Sequence, residues 1–251
     1  MIICRWSVWN PSSESILLLN HSVASFQHFF GNEARYVIFT DDVPAIQKGL
    51  KISTEIYSYT SFDHPEYLEP AITWRKWAPR CRYDWDAVEL RIDADMFLLL
   101  DPVEIKDFCK SGKARYLITL ENFKELWPYG NFAQLLKPDF TPINAGLVGQ
   151  QVGADISDLL AEAYEWWKKN VHQEDVKYHD EQGAVSYIFQ SLIKRGDVML
   201  LPPEKYQIVC PLNKPPVSSV DGIILLHATY PEHPAFHQFL DQIIQVSGIK
   251  Q

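Results

Sequence analysis

The sequence predicts an α/β fold, a single domain in which helices flank a mostly parallel central sheet. Three observations predict it. Strand-like and helix-like segments alternate through the first sixty residues, as βαβ units require. Neither a repeat, a low-complexity tract nor a linker interrupts the 251 residues, a length within reach of one α/β domain. Hydrophobic residues make up 47% and charged residues 22%, an ordinary globular balance that supplies a sizeable core.

Ile2 to Trp9 is rich in β-branched and aromatic residues and reads as the first strand. Asn10-Pro11-Ser12-Ser13 is a turn whose serines can cap the helix expected from Glu14 to Phe30, with Gly31-Asn32 as its stop. Strands follow at Arg35 to Thr40 and Thr54 to Tyr59, and the loop from Ser61 to Ala71 carries two prolines. Thr73 to Arg80 reads as a short helix, Val88 to Ile92 as a strand, and Met96 to Leu100 as an apolar run closed by Asp101-Pro102. Arg115 to Leu120 and Ile143 to Val148 are further strands, separated by an aromatic segment of little periodicity. Asp155 to Asn170 is amphipathic, with Ile156, Leu159, Leu160, Ala163, Tyr164 and Trp167 at helical spacing. A helix is expected over Glu181 to Leu192 with Asp180 as its cap. Strands at Asp197 to Leu201 and Gly222 to His227 and a helix from Pro234 to Val246 close the chain.

The formal net charge of −9 argues against bulk nucleic-acid binding, which needs a basic face. Four scattered cysteines form no CxxC pair, so reduced thiols in a cytoplasmic protein are expected. The first residues lack the features of a signal peptide, and no run reaches the roughly 20 apolar residues of a membrane helix.

The most informative site is Arg91-Ile92-Asp93-Ala94-Asp95-Met96. A strand delivers two carboxylates, spaced i and i+2, to its C-terminal end, and in extended chain these point the same way. The crevice beyond strand C-termini is where α/β sheets bind ligands. A divalent cation relieves the repulsion between paired acids, and Mn²⁺ or Mg²⁺ accepts carboxylate and phosphate oxygens together. Apolar residues on both sides make this a poor place for gratuitous charge.

With TWRKWAPR, VELRIDADMFLLLDP, TPINAGLVG and YHDEQGAVSYI in this order, the chain resembles GT-A glycosyltransferases, from its first strand to His227. The resemblance implies a Rossmann-like GT-A fold in which an aspartate–any–aspartate motif holds Mn²⁺ or Mg²⁺ against a nucleotide-sugar donor. It implies that Asp95 and His227 ligate the metal, with Asp93 beside it or contacting the donor. Asp41 then matches the acid at the nucleotide base, and Arg75 or Lys76 the basic residue near the donor. Asn144 and Gly146 line the transferred sugar, and Asp180 and Glu181 face the donor sugar or acceptor. After His227 the chain reads ATYPEHP in place of the glycine–lysine loop of many members, so His233 is a competing ligand.

The activity so implied is sugar transfer from a nucleoside-diphosphate sugar, UDP-sugar being the expected donor, to a carbohydrate, lipid-linked or protein hydroxyl. Residues 1–100 are expected to bind the donor and 101–251 the acceptor. Asp180 and Glu181 are the candidate bases if the reaction inverts. Trp127, Tyr129, Asn131 and Phe132 are candidates for stacking on sugar or for a core beneath a loop. The alternatives are a phosphatase whose nucleophile is the first aspartate of DxD, and a nucleotide-sugar- or carbohydrate-binding protein without turnover. A nucleotidylyltransferase is excluded because the first strand leads into no glycine-rich loop.

Overall fold

A computed structural model describes residues 1–250 except 64, 66–71, 123, 211–216 and 231, so most of the proline-bearing loop lies outside the described residues. Seven strands form the central sheet: β1 (Ile2–Val8), β2 (Ala34–Thr40), β3 (Glu55–Ser58), β4 (Val88–Ile92), β6 (Tyr116–Leu120), β7 (Ile143–Gln150) and β8 (Val198–Leu201). Their order is β3-β2-β1-β4-β7-β6-β8. β7 alone runs against its neighbours; every other pairing is parallel. Because β1 is followed by β2 on one side and flanked by β4 on the other, the chain reverses direction across the sheet there, and a crevice opens beyond the two strand ends. A second sheet of β5 (Met96–Leu98), β9 (Tyr206–Val209) and β10 (Leu225–Ala228) stands beside it in the order β5-β10-β9.

Period-2 alternation sorts the strand side chains into two layers. Cys4, Trp6, Ile38, Leu90 and Ile92 pack beneath α1 (Ser13–Phe30) and α3 (Val103–Ser111), which contribute Leu19, Val23, Phe26, Ile105 and Phe108. Ile3, Val37, Phe39 and Val148 face α4 (Ser157–Asn170) and α5 (Asp180–Lys194), together with Trp74 and Trp77 of the 3₁₀ helix Ile72–Trp77. On this second face β1 and β4 are polar. Arg5 and Glu89 are fully buried and paired at 2.7 Å, and Arg5 also donates to the carbonyls of Trp77, Ala78 and Arg80. The pair therefore ties the 77–84 segment to the sheet. No helix among the described residues is long and apolar enough to cross a membrane, and none of the four cysteines is in a disulfide.

Several elements differ from the sequence reading. A helix the sequence reading lacks, α2 (Val43–Gly49), begins directly behind β2, with the Asp42 side chain capping Ala45 N and Pro44 in the first turn. α3 likewise starts behind Asp101-Pro102. Both helices are too short for periodicity to reveal. The closing helix is two, α6 (Pro234–Gln238) and α7 (Leu240–Ser247), broken at Phe239. Asp180 is the first residue of α5 rather than its cap; His179 holds that position.

Candidate active site

Asp93-Ala94-Asp95 does not continue β4 as extended chain. It forms a tight turn between β4 and β5, closed by Met96 N donating to Asp93 O at 3.3 Å. The two carboxylates converge because the turn is pinned from both sides: Asp93 N donates to Gly146 O on β7, and Ala228 N at the end of β10 donates to Asp95 O. The site thus sits where the two sheets meet. β10 delivers His227, whose Nε2 lies 3.2 Å from Asp95 Oδ1. Ligating atoms of Asp93, Asp95 and His227 all lie within 4.8 Å of one another.

Two carboxylates and an imidazole suit Mn²⁺ or Mg²⁺, hard or borderline ions that accept oxygen and a single nitrogen. The residues therefore fit the metal that the motif implies. Their roles are unequal. Asp93 is neutralised by the protein itself: Oδ2 accepts from Lys76 Nζ at 2.8 Å and Oδ1 from Arg91 Nη1 at 3.0 Å. Arg91 follows from strand alternation, two residues before Asp93 on the same face, with its guanidinium over the Trp77 ring. Among the described residues, Asp95 pairs only with imidazoles, those of His227 and His233. Burial works against its ionisation, but His227 and His233 outweigh this and hold the carboxyl far below the ordinary carboxylate range. His233 Nδ1 lies 2.6 Å from Ala228 O. A carbonyl only accepts, so this nitrogen carries the proton and is not a metal ligand. Among the described residues, His227 and not His233 joins the two aspartates in the cluster whose ligating atoms lie within 4.8 Å of one another.

Gly146 supports the cluster from behind. A Cβ there would lie 2.5 Å from His227 Cε1 and 2.8 Å from Nδ1. Its place on β7 coincides with a register shift: Ile118 faces Val148 but Thr119 faces Asn144, so the strand bulges through 145–147. Gly146→Ala is expected to push the His227 ring aside and weaken Mn²⁺ binding about 10- to 100-fold, as loss of a ligand's support does. Isothermal titration with MnCl₂ checks this; an unchanged Kd would remove Gly146 from the site.

The cluster opens into a cavity of about 420 Å³. Of the sequence-derived candidates, Lys76, Asp93, Asp95, Asn144, Glu181 and His227 line it; Asp41, Arg75, Gly146 and Asp180 are not among its lining residues. Asp41 instead accepts from Asn10 N with both oxygens, bracing the ends of β1 and β2. The adjacent candidates separate cleanly. Lys76 bridges Asp93 and, at 3.6 Å, Glu181. Burial works against its ammonium, but the two carboxylates outweigh this and hold its pKa above the ordinary lysine value.

Glu181 is 1% exposed and accepts from Trp77 Nε1 at 2.7 Å. Asp180 is fully buried, and its oxygens accept from Asn131 N and Nδ2, Trp167 Nε1 and Lys177 N. That carboxylate is committed to holding the 3₁₀ segment Trp127–Leu135 against α5 and is not free to act as a base. Asn144 donates to Glu121 Oε2 and Gln182 Oε1 while its Oδ1 accepts from Gly146 N.

Glu121 and Gln182 are cavity residues that sequence reasoning missed. Burial raises the Glu121 carboxyl above its ordinary value, against hydrogen bonds from Asn144 and Asn122. Its only sequence signal was a position at the C-terminal end of a strand. Tyr129 and Phe132 are fully buried and belong to the core, whereas Trp127 reaches the cavity.

No protein-family profile matches the chain, and no curated protein sequence matches it. Solved structures do. A galactosyltransferase, LgtC, in complex with donor and acceptor sugar analogues superposes with a TM-score of 0.57 at 13% identity, over 99% of this chain and 95% of LgtC. The bifunctional glycosyltransferase WbbM gives 0.62 at 12% identity over 98% of this chain, which spans only 49% of WbbM. Mouse xyloside xylosyltransferase 1 gives 0.53 at 10% identity, over 90% of this chain and 96% of that enzyme. The fold is that of the GT-A glycosyltransferases.

Proposed function

We propose that this protein is a metal-dependent glycosyltransferase that takes a sugar from a nucleoside-diphosphate donor, UDP being the expected nucleotide, and passes it to an acceptor hydroxyl. One observation carries the reading: on a GT-A fold, Asp93, Asp95 and His227 converge at the mouth of the central sheet and face a cavity. Asp95 and His227 would hold Mn²⁺ or Mg²⁺, with Asp93 alongside. A divalent ion held there would supply positive charge to the departing diphosphate.

The chain's own groups do the rest. Lys76 and Arg91 hold Asp93 in place, and Lys76 tethers Glu181 at the cavity wall. Asn144 fixes the side chains of Glu121 and Gln182 there. In the reaction the acceptor oxygen bonds to the anomeric carbon and the bond from that carbon to the diphosphate oxygen breaks. The diphosphate departs with the electron pair, and the hydroxyl proton passes to a base. Segments 73–95 and 121–230 both line the cavity, in keeping with donor and acceptor halves that meet there.

The phosphatase reading is disfavoured because each Asp93 oxygen is paired with a cation, which makes the carboxylate a poorer nucleophile. Slow hydrolysis of UDP-sugars, measured with and without Mn²⁺, tests the proposal. Release of UDP only when the metal is present is expected. Phosphate release from a generic ester would establish the phosphatase instead, and donor binding without any turnover would establish a binding protein.

A further inference from the structure

The cavity mouth is aromatic and its floor is acidic. Among the described residues, the exposed Trp, Tyr and Phe side chains are Trp85, Trp127, Tyr178, Tyr187 and Tyr230. Three of these five stand at this one opening: Trp127 at 42%, Tyr178 at 55% and Tyr230 at 62% exposure. They come from separate elements and still approach one another. The rings of Tyr178 and Tyr230 lie 5.9 Å apart at 31°, and those of Trp127 and Tyr178 each meet the imidazole of His179 at 5.2 Å. So much apolar ring surface left in water at one concave site marks a place for a ligand.

The charges beneath narrow its chemistry. Asp93, Asp95, Glu121 and Glu181 line the cavity, and the only lysine or arginine among its described lining residues, Lys76, is already shared by Asp93 and Glu181. One bound metal would serve the donor diphosphate. A second phosphate group, as on a lipid-linked acceptor, would find no lysine or arginine among the described lining residues that is not already paired with a carboxylate. Pyranose rings, by contrast, present C–H faces to aromatic rings and hydroxyls to carboxylates and amides.

We infer that the acceptor is an uncharged saccharide, gripped at its ring faces by Tyr178 and Tyr230 with Trp127 and His179 completing the collar. This rests on the glycosyl-transfer reading above and adds the acceptor class to it.

The test uses the full chain with Mn²⁺ and whichever UDP-sugar it hydrolyses. Lactose, maltose and cellobiose at 10 mM, a Ser/Thr-containing peptide and undecaprenyl phosphate are compared as stimulants of UDP release. At least one disaccharide is expected to raise release tenfold or more over hydrolysis. Tyr178→Ala and Tyr230→Ala are expected to raise the KM for that disaccharide at least tenfold, with a smaller change in kcat. Tyr178→Phe and Tyr230→Phe, which keep the rings, are expected to stay within twofold. Tyr187→Ala, an exposed ring away from the opening, serves as the control.

Stimulation by the peptide or the polyprenyl phosphate alone would overturn the inference, and so would alanine variants with the parent KM. Saturation-transfer NMR of the same disaccharides without donor separates the two levels. Ring-dependent saccharide binding without donor hydrolysis would sink glycosyl transfer and keep the collar. Hydrolysis without saccharide binding or stimulation would do the reverse.

Discussion

Asp95→Ala is expected to abolish the stabilisation that Mn²⁺ and UDP together give the protein, and to lower metal-dependent turnover by at least about a hundredfold. Among the described residues no lysine or arginine pairs with Asp95; its neighbours are His227 at 3.2 Å and His233 at 3.4 Å. Removing it takes away the carboxylate best placed to ligate, whereas Asp93 stays bound to Lys76 and Arg91. With ligand at 100 times its Kd the parent gains about 2.7 kcal/mol, roughly 5–10 °C in midpoint for a chain of this length. The variant should gain nothing, while its ligand-free midpoint stays near that of the parent. Thermal denaturation with and without Mn²⁺ plus UDP reads both quantities. A variant that still shows the parent's ligand-induced shift would dissolve the proposed metal site.

The second large effect is on stability. Glu89→Gln is expected to cost about 3–5 kcal/mol, because it leaves the Arg5 guanidinium charged and fully buried without its counter-ion. Glu89 also accepts from Tyr83 N through its other oxygen, and Arg5 holds the carbonyls of Trp77, Ala78 and Arg80. The loss should therefore loosen the segment that follows Lys76 and lower the midpoint by on the order of 10 °C. Replacing both partners, Arg5→Met with Glu89→Leu, removes the uncompensated charge and should recover part of the loss. Urea denaturation of the parent and these two variants decides the matter: a Glu89→Gln variant within about 1 kcal/mol of the parent would mean that water reaches this pair.

The comparison of sequence with structure is sharpest at neighbouring residues of the same type. Arg75 and Lys76 read alike, as did Asp180 and Glu181; in space only Lys76 and Glu181 line the cavity. A short 3₁₀ helix and the first turn of α5 rotate one member of each pair toward the cleft and turn the other away. Trp127, Tyr129 and Phe132 formed one aromatic segment, from which Tyr129 and Phe132 went to the core. Glu121 carried no motif, and Tyr178 and Tyr230 meet across fifty-two residues of sequence, a pairing no local pattern can announce.

By itself the sequence determined most strand and helix types, α2, α3 and β9 excepted, since period 2 and period 3.6 in hydrophobic residues are properties of a local stretch. It also determined that paired acids follow a buried strand. Tertiary structure alone decided that β7 runs against its neighbours and that Asp93 and Asp95 occupy a turn between two sheets, while His227, to which only the family resemblance pointed, arrives beside them on β10. Strand direction and the meeting of distant segments depend on how faces pack and which backbone groups pair across the sheet. Those choices are made by the whole chain at once, and no window of residues contains them.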